Sequence, residues 1–416
     1  MSRTILSIMT LDARLLFAAR FVRPFSYGML AVVLVLYLTG IGLHETQTGL
    51  LLTLTLAGDT VVSLALTTQA DRIGRRRMLI GGAILMTAAG LVFACTKNFL
   101  ALIVAGTIGI ISPSGNEVGP FLPIEQAALT GVVSSRDRTS VFAWYSLAGA
   151  LAAAAGSLFG GFVTQSLEKA AVSPLESERV ILLLYAASGL ALAILFTRLS
   201  RSAEAGGVKG TAGNMTRLFG IGRSRDVILR LSGLFALDAF GGGFVVQSFA
   251  AYWFYLRFGV SPAALGGIFF GANVLAGISA LLASRLASRI GLIRTMVFTH
   301  LPSNVLLILV PLMPNLPLAI AVLLVRFSIS QMDVPARQSY TMEVVAPDER
   351  SAAAGITGVA RTTGASIAPV FAGLLFSRPT LIDYPFFIAG AVKIVYDLLL
   401  YRAFVKYQAP EEPKSN

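Results

Sequence analysis

The sequence predicts an all-α, polytopic membrane protein whose twelve transmembrane helices form two pseudo-symmetric halves of six. Three observations predict it. Apolar residues fill 55% of the 416 positions and charged residues only 13%. A water-soluble chain of this length cannot bury so much apolar surface, so the natural solvent is lipid. The apolar positions gather into runs of about 20 residues, the length that crosses a bilayer as a helix. The basic residues behind the net charge of +12 fall in loops between those runs, which marks membrane topology and argues against a nucleic-acid partner.

Taken in order, the predicted spans are Leu11–Leu38, Thr48–Leu66, Met78–Ala94, Phe99–Leu122, Thr139–Val163 and Val180–Leu199, then Val227–Tyr255, Leu265–Leu286, Arg294–Met313, Leu318–Val345, Ser351–Phe376 and Pro385–Phe404. Even-numbered loops carry the positive charge: Arg72, Arg75, Arg76 and Arg77, then Arg136 and Arg138, then Arg285 and Arg289, then Arg350. By the positive-inside rule both termini face the cytoplasm. The opening residues lack a signal-peptide cleavage pattern, so the first span is expected to be retained as an anchor. The stretch 200–226 is rich in Gly, Ser, Lys and Arg without apolar periodicity and reads as a cytoplasmic linker. The expected organisation is an N-terminal half at 1–199, this linker, a C-terminal half at 227–404 and a cytoplasmic tail at 405–416.

The halves repeat. A shift of 212 residues lays Pro123–Ser140 on Pro335–Ala352, matching Pro123 with Pro335, Gln126 with Gln338, Val132 with Val344, Val133 with Val345 and Arg138 with Arg350. A shift of 217 lays Ala70–Gly74 (ADRIG) on Ala287–Gly291 (ASRIG), where the aspartate has become Ser288. Apolar low complexity does not align prolines and loop charges in this way.

The loop after the second span reads TTQADRIGRRRML (Thr67–Leu79). Ala70, Asp71, Arg72, Gly74, Arg75, Arg76 and Leu79 match the motif G-x-L-A-D-R-x-G-R-R/K-x-x-L, so the chain resembles the major facilitator superfamily. Thr67 and Gln69 depart from it. The resemblance implies two six-helix halves with a binding site between them and alternating access. It also implies a conformational latch at Asp71, Arg72, Gly74, Arg75 and Arg76, with the start of span 11 as the expected partner of Asp71.

Span 5 contains AAAAGSLFGG (Ala152–Gly161). Gly156, Gly160 and Gly161 fit the signature G-x-x-x-G-P-x-x-G-G of drug-exporting members, whereas Ala152 and Ser157 replace a glycine and the proline. Span 11 keeps a proline, Pro369. Small residues four apart let helix backbones approach closely, which is also the generic reading of this stretch. Span 4 carries SPSGNEVGPFLPIEQ (Ser112–Gln126). Its prolines and glycines forbid a regular lipid-facing helix and are tolerated only where backbone borders a cavity or protein.

Ionisable residues inside spans default to function or to pairing. They include Arg20, Arg23, Asp59, Glu117, Glu125, Asp238, Arg326, Asp333, Arg337, Arg361, Lys393 and Asp397. Lys393 and Asp397, four apart, are expected to pair with each other. Aligning Leu16–Arg20 with Leu234–Asp238 sets Arg20 opposite Asp238, and the 212 shift sets Glu125 opposite Arg337, so both equivalences reverse charge. The resemblance places their spans 1, 4, 7 and 10 around the central cavity. Arg20 is expected to meet Glu125, and Asp238 to meet Arg337. Protonating the carboxylate would dismantle such a pair, which makes Glu125 the first candidate for proton coupling and Asp238 the second. Asp59, Glu117 and Asp333 are alternative acids.

Cys95 stands alone, His44 and His300 have no ligand spacing, and nothing approaches a phosphate-binding G-x-x-x-x-G-K-S/T loop. No cofactor, metal or enzymatic centre is therefore expected. The expected function is secondary active transport of a small organic solute, as proton-coupled efflux, by a monomer in the plasma membrane, expected to be a bacterial inner membrane. An importer on the same fold is the first rival, and a non-transporting membrane scaffold or sensor the second.

Overall fold

The computed structural model describes residues 10–115, 117, 119–133, 138–200, 223–346 and 349–405; the side chains of Asp71, 138–140 and 351 lie outside that description. All regular structure among them is helical. In chain order the helices are α1 (Leu11–Gly40), α2 (Glu45–Ile73), α3 (Arg75–Cys95), α4 (Phe99–Ile108), α5 (Phe121–Val132), α6 (Arg138–Lys169), α7 (Pro174–Thr197), α8 (Arg225–Gly243), α9 (Gln247–Phe258), α10 (Pro262–Ile290), α11 (Leu292–Leu309), α12 (Leu316–Phe327), α13 (Asp333–Glu343), α14 (Arg350–Phe376) and α15 (Tyr384–Phe404).

These helices make twelve spans, because spans 4, 7 and 10 are each two helices with a break. Only the first break is legible in composition. Between α4 and α5, Gly115 (φ 68°) and Gly119 (φ 81°) take a backbone conformation that side-chain-bearing residues avoid. The helix resumes at Phe121, so Pro123 falls in its first turn, where a missing N–H costs nothing. Span 7 breaks after Gly241–Gly243 and span 10 between Phe327 and Asp333. Broken helices at membrane depth need protein or water around the freed backbone groups.

By contacts the chain forms two compact units, one from Met1–Gly210 with Val246–Val274 and one from Thr211–Val245 with Leu275–Asn416. In the first unit α1 is central. Every residue from Gly28 to Leu38 is buried, so it is apolar on all sides, as a fully surrounded helix must be. It packs on α6, α7 and α9. Gly156 and Gly160 of α6 make this possible, since an added Cβ would strike the backbone of Phe25 and Met29 in α1. Gly161 meets Pro262 and Gly266 of α10 in the same manner. Ser157, where the exporter signature has proline, sends its hydroxyl to the Gly28 and Ala153 carbonyls at 3.2 and 3.1 Å.

In the second unit α8 packs on α14 and α15, and α11 packs on α13 and α15. Gly364 of α14 meets the Ala236 carbonyl of α8, and Gly243 meets the carbonyl of Ala365. Pro369 lies inside α14 and has no N–H to offer that carbonyl four residues back. The two units thus use the same small-residue device for their principal helix pair. Gly74 and Gly291, aligned by the 217 shift, both have positive φ, 113° and 88°. Each ends one long helix and begins the next.

Candidate functional site

Each unit holds a buried cluster of charged side chains, and the breaks in the spans position them. In the first unit, α1 presents Arg20 and Arg23 one turn apart. The break before α5 presents Glu117, and α5 itself presents Glu125. Arg23 is fully buried and grips Glu125 with both terminal nitrogens, at 2.5 and 2.8 Å, while its Nε donates to Glu117 at 2.7 Å. Arg20 pairs with the other Glu117 oxygen and donates to the Tyr145 carbonyl at 3.3 Å. The Tyr145 hydroxyl donates to Glu125, and the Phe121 ring lies 4.7 Å below the Arg23 guanidinium. A planar fork held at three points against two carboxylates is the arrangement that only arginine supplies.

The expected Arg20–Glu125 contact is therefore replaced. Arg23, one turn further along α1, takes Glu125, and Arg20 is left facing Glu117. Glu117 is not at a solvated loop end, since its side chain is 18% exposed between two arginines. Asp59 of α2 joins the same cluster by another route. It is buried and lies near the Gly119 backbone, Ser63 and the charge of Glu117. No cation pairs with it among the described residues, and its Oδ1 has no hydrogen-bond partner there.

In the second unit, Asp238 of α8 accepts from Arg337 of α13 at 3.2 Å and from Lys393 of α15 at 2.6 Å. Arg337 also pairs with Asp333, one turn back on α13, at 3.1 Å. The Asp238–Arg337 contact is the expected one; Lys393 is an addition to it. Lys393 does not pair with Asp397, which instead faces Nδ1 of His300 at 2.9 Å and accepts from Asn304 at 2.9 Å. His300 Nε2 lies 3.7 Å from Asp238. The sequence reading weighs His300 only as a metal ligand and leaves out Asn304. Their signal was present: two polar residues four apart on span 9, matched by Lys393 and Asp397 four apart on span 12. Asp238, His300 and Asp333 offer ligand atoms within 4.8 Å of one another, but Lys393 and Arg337 already contact the carboxylates a cation would need.

At the start of α3, Arg75 Nη1 donates to the Ala127 carbonyl in α5 at 3.0 Å, tying the basic loop to the helix that carries Glu125. The Asp71 side chain, and with it the expected latch contact, lies outside the described residues.

A family model described as Major Facilitator Superfamily matches residues 16–330 and 231–416. The chain belongs to the major facilitator superfamily. Over 433 aligned residues it is 30% identical to the uncharacterized membrane protein YJR124C of Saccharomyces cerevisiae, covering 97% of this chain and 96% of that one. Among solved structures it resembles the nucleoside transporter NupG (TM-score 0.75, 12% identity, 96% and 100% covered). It also resembles a bacterial homologue of the iron transporter ferroportin (0.73, 14%, 96% and 99%) and a D-xylose-proton symporter (0.70, 14%, 94% and 97%). At such identities these likenesses speak for the fold alone. Membership makes this chain a multi-pass membrane transporter rather than an enzyme.

Proposed function

We propose that this superfamily member is a proton-coupled secondary transporter of a small organic solute, working by alternating access. The observation that carries the reading is the Glu117–Arg23–Glu125 chain, with Asp59 beside it. Two arginines hold two carboxylates, and a third carboxyl of the cluster has no cation among the described residues. A proton added here removes one negative charge from a cluster built on buried ion pairs. Glu125 is the acid whose release would loosen α5 from α1 and α6, because Arg23 and Tyr145 both fasten it. Asp238, held by Arg337 and Lys393, is the second coupling acid.

The glycines of α6 that resemble the exporter signature favour efflux, and the distribution of basic loops favours cytoplasmic termini in a plasma membrane. Proteoliposomes loaded with the pH dye pyranine test the coupling. A solute gradient is expected to drive proton movement in wild type, and Glu125→Gln is expected to keep solute exchange while losing the proton signal. Inverted and right-side-out vesicles separate efflux from import. A Glu125→Gln protein that still concentrates solute against a pH gradient would remove Glu125 as the coupling acid.

A further inference from the structure

We infer that the transported solute is an organic anion, and that Arg326 of α12 and Arg361 of α14 are its ligands in the C-terminal unit. This deepens the transporter reading above and rests on it. Charge gives the first reason. Among the described residues, the cluster in this unit gathers Asp238, Asp333 and Asp397 against Arg337 and Lys393, with His300 between two of the acids. The charges of Asp238 and Asp333 also reach Arg326 and Arg361. Neither arginine has a carboxylate within ion-pair distance among those residues, so the unit holds cationic groups beyond its acids even with His300 neutral.

Position gives the second. Arg326 lies in the last turn of α12, beside the break in span 10, and Arg361 stands near the middle of α14. Both are therefore far from either end of a span. A guanidinium at such a depth is costly in hydrocarbon, so it must face water, protein or solute. Both side chains are half-buried. In each, Nε is buried without a hydrogen-bond partner among the described residues. The Arg326 guanidinium rests on the Phe327 ring, 4.9 Å from its centre, which leaves its donors directed elsewhere. Arg23 and Arg337 show how this chain treats a mid-span arginine that holds helices together, surrounding it with carboxylates. Arg326 and Arg361 are left open, and a carboxylate or phosphonate oxygen pair is the chemistry that matches their planar donors. The nearby Asp238 and Asp333 would repel an anion, but Arg337 and Lys393 already neutralise them.

Phenylglyoxal labelling of the purified, folded transporter tests this, with each arginine followed by peptide mass spectrometry. Arg326 and Arg361 are expected to react while Arg23 and Arg337 do not. Benzoate, succinate and phenylphosphonate serve as probes, and at least one is expected to slow labelling of both residues several-fold, where tetraphenylphosphonium does not. In thermal melting, Arg326→Gln/Arg361→Gln is expected to lose the stabilisation that the protecting anion gives wild type. The inference is overturned if neither arginine reacts, if no anion protects, if tetraphenylphosphonium protects equally, or if the double variant keeps the anion-dependent shift. These readouts involve no flux and no pH gradient. Failure of proton coupling with intact protection would remove the coupling reading and leave the anion site; the reverse result would remove the anion site alone.

Discussion

The two charged clusters solve one problem in opposite ways. In the N-terminal unit, acids outnumber cations: Arg20 and Arg23 face Glu117 and Glu125, and Asp59 is extra. In the C-terminal unit, cations outnumber acids: Arg326, Arg337, Arg361 and Lys393 against Asp238, Asp333 and an Asp397 that faces His300. The wiring differs as well. Arg23 is the only cation on Glu125 among the described residues and shares Glu117 with Arg20, so the N-terminal cluster hangs on one side chain. Asp238 is held by Arg337, Lys393 and, at longer range, His300, so the C-terminal cluster is redundant. The contrast separates where a proton can act from where a solute charge can. A surplus acid is the place to add a proton, and surplus guanidiniums are the place to receive an anion.

If the wiring matters, the largest effect follows from Arg23→Met. It would leave Glu125 with only Tyr145, and Glu117 with only Arg20, in a buried setting. Breaking a buried ion pair from one side costs about 3–5 kcal/mol, so we expect a large fall in apparent Tm in detergent, together with reduced yield. Arg23→Lys is expected to rescue little, because an ammonium cannot make the three-point fork. A melting curve like wild type for either variant would mean that the N-terminal cluster does not depend on one residue.

Redundancy predicts a smaller loss in the other unit. Lys393→Met removes a 2.6 Å contact but leaves Arg337 on Asp238. We expect about 1.5–3 kcal/mol, the worth of a charged hydrogen bond, and a Tm between those of Arg23→Met and wild type. Should Lys393→Met fall as far as Arg23→Met, the contrast between the clusters collapses. Asp397→Asn probes the same unit from the His300 side. Asn304 can still hold one amide oxygen, so the loss in Tm is expected to be no greater than for Lys393→Met.

How much of this was legible in the sequence depends on what range of interaction decides it. The twelve spans were legible because length and apolarity set them locally, and so was the disruption of span 4, written in its prolines and glycines. The breaks in spans 7 and 10 were not. Gly241–Gly243 sits in a strongly apolar run, and Ser328–Met332 holds no proline at all. Side-chain partners were the hardest. Internal symmetry nominated Arg20 against Glu125, but the choice between Arg20 and Arg23 turns on a rotation of about 300° along α1, and a repeat alignment does not carry that phase. Lys393 and Asp397 look like a pair on one helix. The structure sends each across to another helix, because Asp238 and His300 are buried and have no water to turn to.

The smallest stability effect, and the sharpest separation of folding from function, belongs to Asp59→Asn. Asp59 has the Gly119 backbone and Ser63 as polar neighbours but no cation among the described residues. Asparagine retains one acceptor oxygen for them, and the substitution removes a buried charge that nothing there compensates. The change in stability should therefore stay within about 1 kcal/mol in either direction, the net worth of one hydrogen bond. Function should respond differently. If the proton enters the N-terminal cluster through its surplus acid, Asp59→Asn fixes that position in the protonated charge state, and the pH dependence of solute flux in proteoliposomes should flatten. Arg20 and Arg23 would keep their carboxylates, so solute exchange itself should persist. An unchanged pH profile with unchanged Tm would make Asp59 a bystander, and the surplus acid would then have no part in coupling. A Tm loss as large as that of Arg23→Met would show that Asp59 holds the break of span 4 in place through Gly119, and the distinction drawn between a wired pair and a spare acid would fail there.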